Sequence, residues 1–137
     1  MHNFKDLEVW QKSIVLCKQI YQLGEQIPKD QKYSLTDQIQ RCAVSIPSNI
    51  AEGAGRGTKK SFAHFIQIAI GSSFELETQL ILAQQIFTDI TTDQQISQLN
   101  EIQRMLVGMK KCFRNEAYLV SGIWYLVSEN NILDTND

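Results

Sequence analysis

The sequence lacks a basic excess. Its 137 residues carry 13 Lys and Arg against 15 Asp and Glu, a formal charge of −2. The simplest signature of a nucleic-acid-binding domain, a strongly basic chain, is therefore absent, although local basic patches are not excluded. Proline is scarce, with two Pro and seven Gly, which favours long uninterrupted elements. Cysteine is sparse and odd in number. Cys17, Cys42 and Cys112 stand far apart with no C-x-x-C pair, so neither a disulfide framework nor a zinc ribbon nor a thioredoxin-like motif is written here. Each falls in an apolar helical pattern, the setting of a buried thiol in a reducing compartment. Long hydrophobic runs are missing too. The N-terminal MHNFKDLEVW has acids and no apolar stretch of the signal-peptide kind. The most apolar C-terminal run, 118–127, falls short of the roughly 20 residues that cross a bilayer. The expectation is a soluble, cytoplasmic protein with no membrane partner.

What is present is ordinary globular composition, 43% apolar and 20% charged, at a length that suits one domain with a real core. Apolar residues recur at spacings of 3 and 4, the period of a helix. The first helix is expected over about 6–23, with Leu7, Trp10, Ile14, Cys17 and Tyr21 as its stripe, Gly24 as C-cap and Pro28 beyond. The second, about 34–54, opens on Ser34 and Asp37 as a capping box and carries Leu35, Ile39, Cys42, Ile46 and Ile50. Pro47 inside it removes a donor and crowds the Ala43 carbonyl, so a kink is expected near 43–45. The third, from N-cap Thr58 to about Phe87, follows Phe62, Phe65, Ala69, Ser72, Leu76, Leu80 and Ala83. The fourth starts at a Thr92–Gln95 capping box and runs through Ile96, Leu99, Leu106, Met109 and Phe113. No strand-like alternation is evident. The fold expected is all-α: an antiparallel up-down-up-down four-helix bundle as a single domain over 1–115, with a C-terminal extension over 116–137 that is partly helical and then frayed.

Several clusters invite chemistry. The Gly-rich segment 53–57 precedes a helix start, a suitable place for an anion, but it has neither Rossmann nor Walker spacing. Glu75 and Glu77 have no His three residues on, so the di-iron bundle pattern fails, and His2 and His64 are the only histidines. No metal site or cofactor is therefore expected, and no catalytic residue either, since no serine sits in a nucleophile elbow. Some carboxylates are expected to pair with Arg41 or Arg56 across helices. Two segments carry bases and no acid: 53–74, with Arg56, Lys59 and Lys60, and 103–115, with Lys110, Lys111 and Arg114. These six are the candidate phosphate contacts. No aromatic is interleaved with them, so binding is expected to be directed at the nucleic-acid backbone. Apolar residues also lie outside the stripes, among them Val9, Leu16, Leu23, Ile68, Phe74 and Leu82. Two apolar faces on a helix call for a second partner, which homo-oligomerisation supplies.

FKDLEVWQKS at 4–13, LTDQIQRCAVSIPSNIAEGAGR at 35–56 and FIQIAIGSSFELETQL at 65–80 resemble the bacterial four helix bundle protein family. That family includes proteins encoded in intervening sequences of large-subunit ribosomal RNA genes and is similar to the accessory variability protein of diversity-generating retroelements. The resemblance covers about 4–113, with Gln40 where an arginine is more usual. It implies a small bundle assembled as a ring-like homopentamer. It also implies that Ser45, Ile46, Pro47, Asn49, Glu52, Gly53 and Gly55 form a structural motif. The retroelement relative binds nucleic acid and its reverse transcriptase through a strongly basic surface, whereas this chain is net acidic. The expected function is a non-enzymatic homo-oligomeric scaffold that contacts RNA or DNA phosphates, or a reverse-transcriptase-like protein working on them. The alternative is a protein-only adaptor with no nucleic-acid affinity.

Overall fold

In a computed structural model, residues 3–114 are described in full, followed by the backbone of 118–120, 123–127 and 132–134. A 3-10 turn, Phe4–Asp6, is capped by Asn3, whose Oδ1 accepts from Lys5 N at 3.2 Å. Helix α1 then spans Glu8–Gly24. Its buried side chains are Val9, Ser13, Leu16, Ile20 and Leu23, whereas Ile14 and Tyr21 are 42% and 50% exposed. Of the stripe expected from spacing, Leu7, Trp10 and Cys17 pack partly buried against the core, while Ile14 and Tyr21 lie outside it. Both sets keep helical spacing, and only packing decides between them. Ser13 is admitted to the core because its Oγ donates to Val9 O at 2.6 Å. Gly24 lies within the last turn rather than beyond it, and Glu25 N closes the helix on Gln22 O.

A 3-10 turn, Lys29–Gln31, and a π-helical turn, Lys32–Thr36, lead into α2, Asp37–Ala54. The expected Ser34 capping box does not form. Ser34 Oγ donates back to Gln31 instead, and the π turn carries the chain into the helix. α2 runs through Pro47, which has no N–H to offer Ala43 O. The vacancy is taken by Cys17 on α1, whose Sγ stands 3.1 Å from Ala43 O. One turn on, Asn49 Nδ2 donates to Ser45 O and Ser45 Oγ, and Ser45 Oγ shares a 2.8 Å hydrogen bond with Ser72.

Helix α3, Lys59–Ile86, packs closely on α2 at Gly53. A Cβ there would stand 2.9 Å from Phe65 Cβ and 3.3 Å from Phe62 O, so only glycine allows this approach. Helix α4, Asp93–Phe113, starts at a buried Thr92. The Thr92–Gln95 box is absent. Thr92 Oγ1 and N both donate to Gln84 Oε1 at 2.9 and 2.8 Å, because burial of the threonine points its hydroxyl at α3.

Contacts between neighbours run in opposite senses. Cys17 meets Ala43 while Gly24 meets Thr36 and Gln40. Gly53 meets Phe65 while Cys42 meets Glu75. Phe113 meets Phe62 while Gln103 meets Glu77. Lys12 on α1 reaches Glu101 on α4, closing the four-membered circuit. The bundle is thus all-α and antiparallel, around a core that includes Leu16, Ile20, Ile39, Ile46, Ile50, Ile66, Leu76, Leu80, Leu99, Ile102 and Leu106. Truncating any of these to Ala costs about 2–5 kcal/mol.

Where partial helix was expected in the extension, the described backbone forms strands β1 Tyr118–Val120, β2 Ile123–Val127 and β3 Ile132–Asp134, paired antiparallel in that order. Val120 pairs with Ile123 and Val127 with Ile132. The residues in these strands are rich in β-branched and aromatic types, which suit a pleated backbone.

Candidate nucleic-acid interface

Antiparallel packing gathers four helix ends at each pole of the bundle. At one pole α1 begins, α2 ends, α3 begins and α4 ends. The α2–α3 turn is made at Gly57, the one described glycine with positive φ, at +80°. Thr58 then caps α3, its Oγ1 accepting from Ser61 N at 3.2 Å. Rings of Phe62 and Phe113, 4.4 Å apart, lock the start of α3 to the end of α4. The two acid-free segments, separate in sequence, therefore share one pole.

The six candidate residues are not equivalent there. Arg56 is engaged: its Nη2 stands 2.6 Å from Glu52 Oε1, and its guanidinium lies 4.9 Å from the centre of the Phe65 ring. The sequence reading missed this aromatic because Phe65 is nine residues away. Lys59 keeps its Nζ out of solvent with no hydrogen-bond partner among the described residues. Lys110 donates to Gln67 across α3 and α4. Lys60, Lys111 and Arg114 are exposed. Lys5 adds a further base at this pole, against Asp6, Glu8 and the paired Glu52. The opposite pole carries Glu25, Asp30, Asp37, Asp89 and Asp93 against Lys29 and Lys32. The bundle is basic at one end and acidic at the other. Moreover, Glu116, Glu129, Asp134 and Asp137 all follow residue 114, and no Lys or Arg does. The net negative charge thus belongs to the C-terminal segment rather than to the helices.

The residues of the Ser45–Gly55 motif are largely engaged within the bundle. Ile46, Pro47 and Gly53 are buried, Ser45 and Asn49 make the polar node with Ser72, Glu52 holds Arg56, and Gly55 ends α2. The cross-helix pairing expected of Arg56 is instead an ion pair from the turn after α2 back to Glu52 in the last turn of that helix. Among the described residues the one ion pair between helices is Lys12–Glu101, and the hydrogen bond to Glu101 raises the Lys12 pKa. Burial pushes the Cys17 thiol up to about 11, and burial with the nearby Glu75 pushes Cys42 up as well. Both stay protonated at neutral pH and act as donors rather than nucleophiles. Among the described residues no group of His, Cys, Asp and Glu is placed to hold a metal ion. Among them, too, no helix is long and apolar enough to cross a membrane.

The sequence model of a family described as 23S rRNA-intervening sequence protein matches residues 5–108. A solved protein of unknown function from the S23 ribosomal protein family of Bacteroides thetaiotaomicron is similar at 27% identity and a TM-score of 0.67. The match covers 75% of this chain and 95% of that one. Neither description states an enzymatic activity. No curated protein matches the sequence.

Proposed function

Since the chain belongs to the 23S rRNA-intervening sequence protein family, we propose that it is a non-enzymatic, homo-oligomeric scaffold whose basic pole contacts the phosphates of RNA or DNA. The observation that carries this reading is the convergence of the two acid-free segments on one pole, with Lys60, Lys111 and Arg114 exposed there. Ammonium and guanidinium groups on a rigid helical frame suit phosphate oxygens and carry no sequence code, so binding is sequence-tolerant. Assembly multiplies the effect, because each copy in a ring adds its own basic pole; five copies is the number the resemblance implies. Arg56 is exposed too but is engaged by Glu52 and Phe65, so the weight falls on Lys60, Lys111 and Arg114.

The test is a binding titration with a duplex and a structured RNA at two salt concentrations. Affinity should fall steeply with salt, with a slope of about −0.9 per phosphate neutralised on duplex DNA. The Lys60→Glu, Lys111→Glu, Arg114→Glu variant should lose most of the affinity without losing helicity. Absence of binding at low salt overturns the reading. So does binding that ignores salt.

A further inference from the structure

Helix α3 is apolar on its outer side as well as its inner one. Phe74, Ile81, Leu82 and Ile86 are exposed, Phe74 by 53%, and a Cβ added at Gly71 would meet nothing within 4 Å. A helix apolar all round is one with a partner on each side. A second apolar surface lies elsewhere, on the α1–α2 seam. It consists of Ile14, Tyr21 and Val44, and Tyr21 and Val44 share a groove with Arg41, Gln40 and Asp37.

The two surfaces carry opposite charge. Between residues 61 and 86, α3 has no Lys or Arg, and of its two acids Glu77 turns to Gln103 on α4 while Glu75 is exposed. Between 9 and 24, α1 has no acid, and of its two bases Lys12 is paired with Glu8 and Glu101 while Lys18 is exposed; between 38 and 51, α2 has Arg41 and no acid. Arg41 makes no ion pair among the described residues, and Asp37 is the one acid at the groove. Packing either surface on its own copy would set like charges face to face, which is unfavourable. Packing one on the other matches both the apolar area and the sign.

We propose that the outer face of α3 docks on the α1–α2 seam of a second copy of this chain, Glu75 approaching the neighbour's base at position 41. Such a contact is head-to-tail, and its repetition closes a ring when the rotation between neighbours divides a full turn. The inference rests on the reading of the chain as a homo-oligomer and specifies which surfaces meet.

A mixing experiment separates the two claims. Phe74→Glu breaks the α3 face and leaves the seam intact; Ile14→Lys does the reverse. Both sites are exposed, and circular dichroism checks that each variant folds. Light scattering should give an oligomer for the natural chain, a monomer for each variant alone, and a 1:1 dimer when the two are mixed. A natural chain that is monomeric overturns the homo-oligomer reading itself. An oligomeric natural chain with variants that still assemble alone, or that stay apart when mixed at several hundred micromolar, overturns this pairing only. If either variant misfolds, Arg41→Glu and Glu75→Arg take their places. In that case each is expected to weaken assembly at least tenfold and the double variant to recover it; no recovery overturns the pairing.

Discussion

Replacing Cys17 tests the most unusual contact in the bundle. Pro47 leaves Ala43 O without its helical donor, and Cys17 Sγ at 3.1 Å supplies one from another helix. Ala43 is fully buried, so removing the thiol leaves its carbonyl without that donor. Cys17→Ala should therefore cost about 1–3 kcal/mol, the usual penalty for orphaning a buried acceptor plus the lost sulfur contacts. For a chain of this length that is a fall of roughly 3–10 °C in Tm. The decisive measurement is a double-mutant cycle with Pro47→Ala. Alanine at 47 restores a backbone N–H to Ala43 O, so Cys17→Ala should then cost less, with a coupling of about 0.5–1.5 kcal/mol. Cys17→Ser, which keeps a donor on a shorter arm, should fall between. Urea melts at fixed protein concentration give all four corners, since any assembly makes midpoints concentration-dependent. A Cys17→Ala penalty of the same size in both backgrounds would refute the argument, because the thiol would then be acting as filler alone.

Two further outcomes follow from the same geometry. The Cys17 pKa is raised to about 11 from an ordinary 9, so the unfolded chain loses this proton first. Stability from this group is whole below about pH 9 and declines until about pH 11, by roughly 1–2 kcal/mol after allowance for its partial exposure; Cys17→Ala should flatten that stretch of the stability curve, and an unchanged slope would count against burial of the thiol. Gly53→Ala would place a methyl 2.9 Å from Phe65 Cβ, prising α2 from α3 at a cost of about 1–3 kcal/mol; a melt at the natural temperature would show that the helices do not approach as closely as described.

The fold was legible because each helix is long and punctuated: Gly-rich turn, Thr58 cap and Thr92 start fall where the spacing puts them. The side each helix turns inward was less legible. α1 has one apolar set at 9, 16, 20 and 23 and another at 7, 10, 14, 17 and 21, and a period of 3.6 residues cannot rank them. Packing chose the first, which holds small Ser13 against the core, and left Ile14 and Tyr21 outside. The capping boxes failed for a related reason. A Thr or Ser three residues before a polar side chain signals a helix start, but the hydroxyl follows the strongest local acceptor, which for Thr92 is Gln84 on another helix. In the C-terminal segment the run of Val, Ile, Trp and Tyr broken by Ser121 and Gly122 carried a hairpin signal that the helical reading passed over.

The candidate site was hidden by summation. A formal charge of −2 argues against contact with polyanions only if charge is spread evenly, and here it is sorted three ways: bases to one pole, acids to the other, and four acids to the segment after residue 114. A polyanion feels the field within about 8 Å of the surface at physiological salt, so the pole it meets matters more than the total. Sequence alone located the two basic segments but could not bring them together, because residues 56–60 and 110–114 become neighbours only through the antiparallel return of α4 on α3 and the Phe62–Phe113 contact that ends it. The same packing sets Arg56 against Glu52 and Phe65 while leaving it exposed, so one of the six candidates already has partners within the chain.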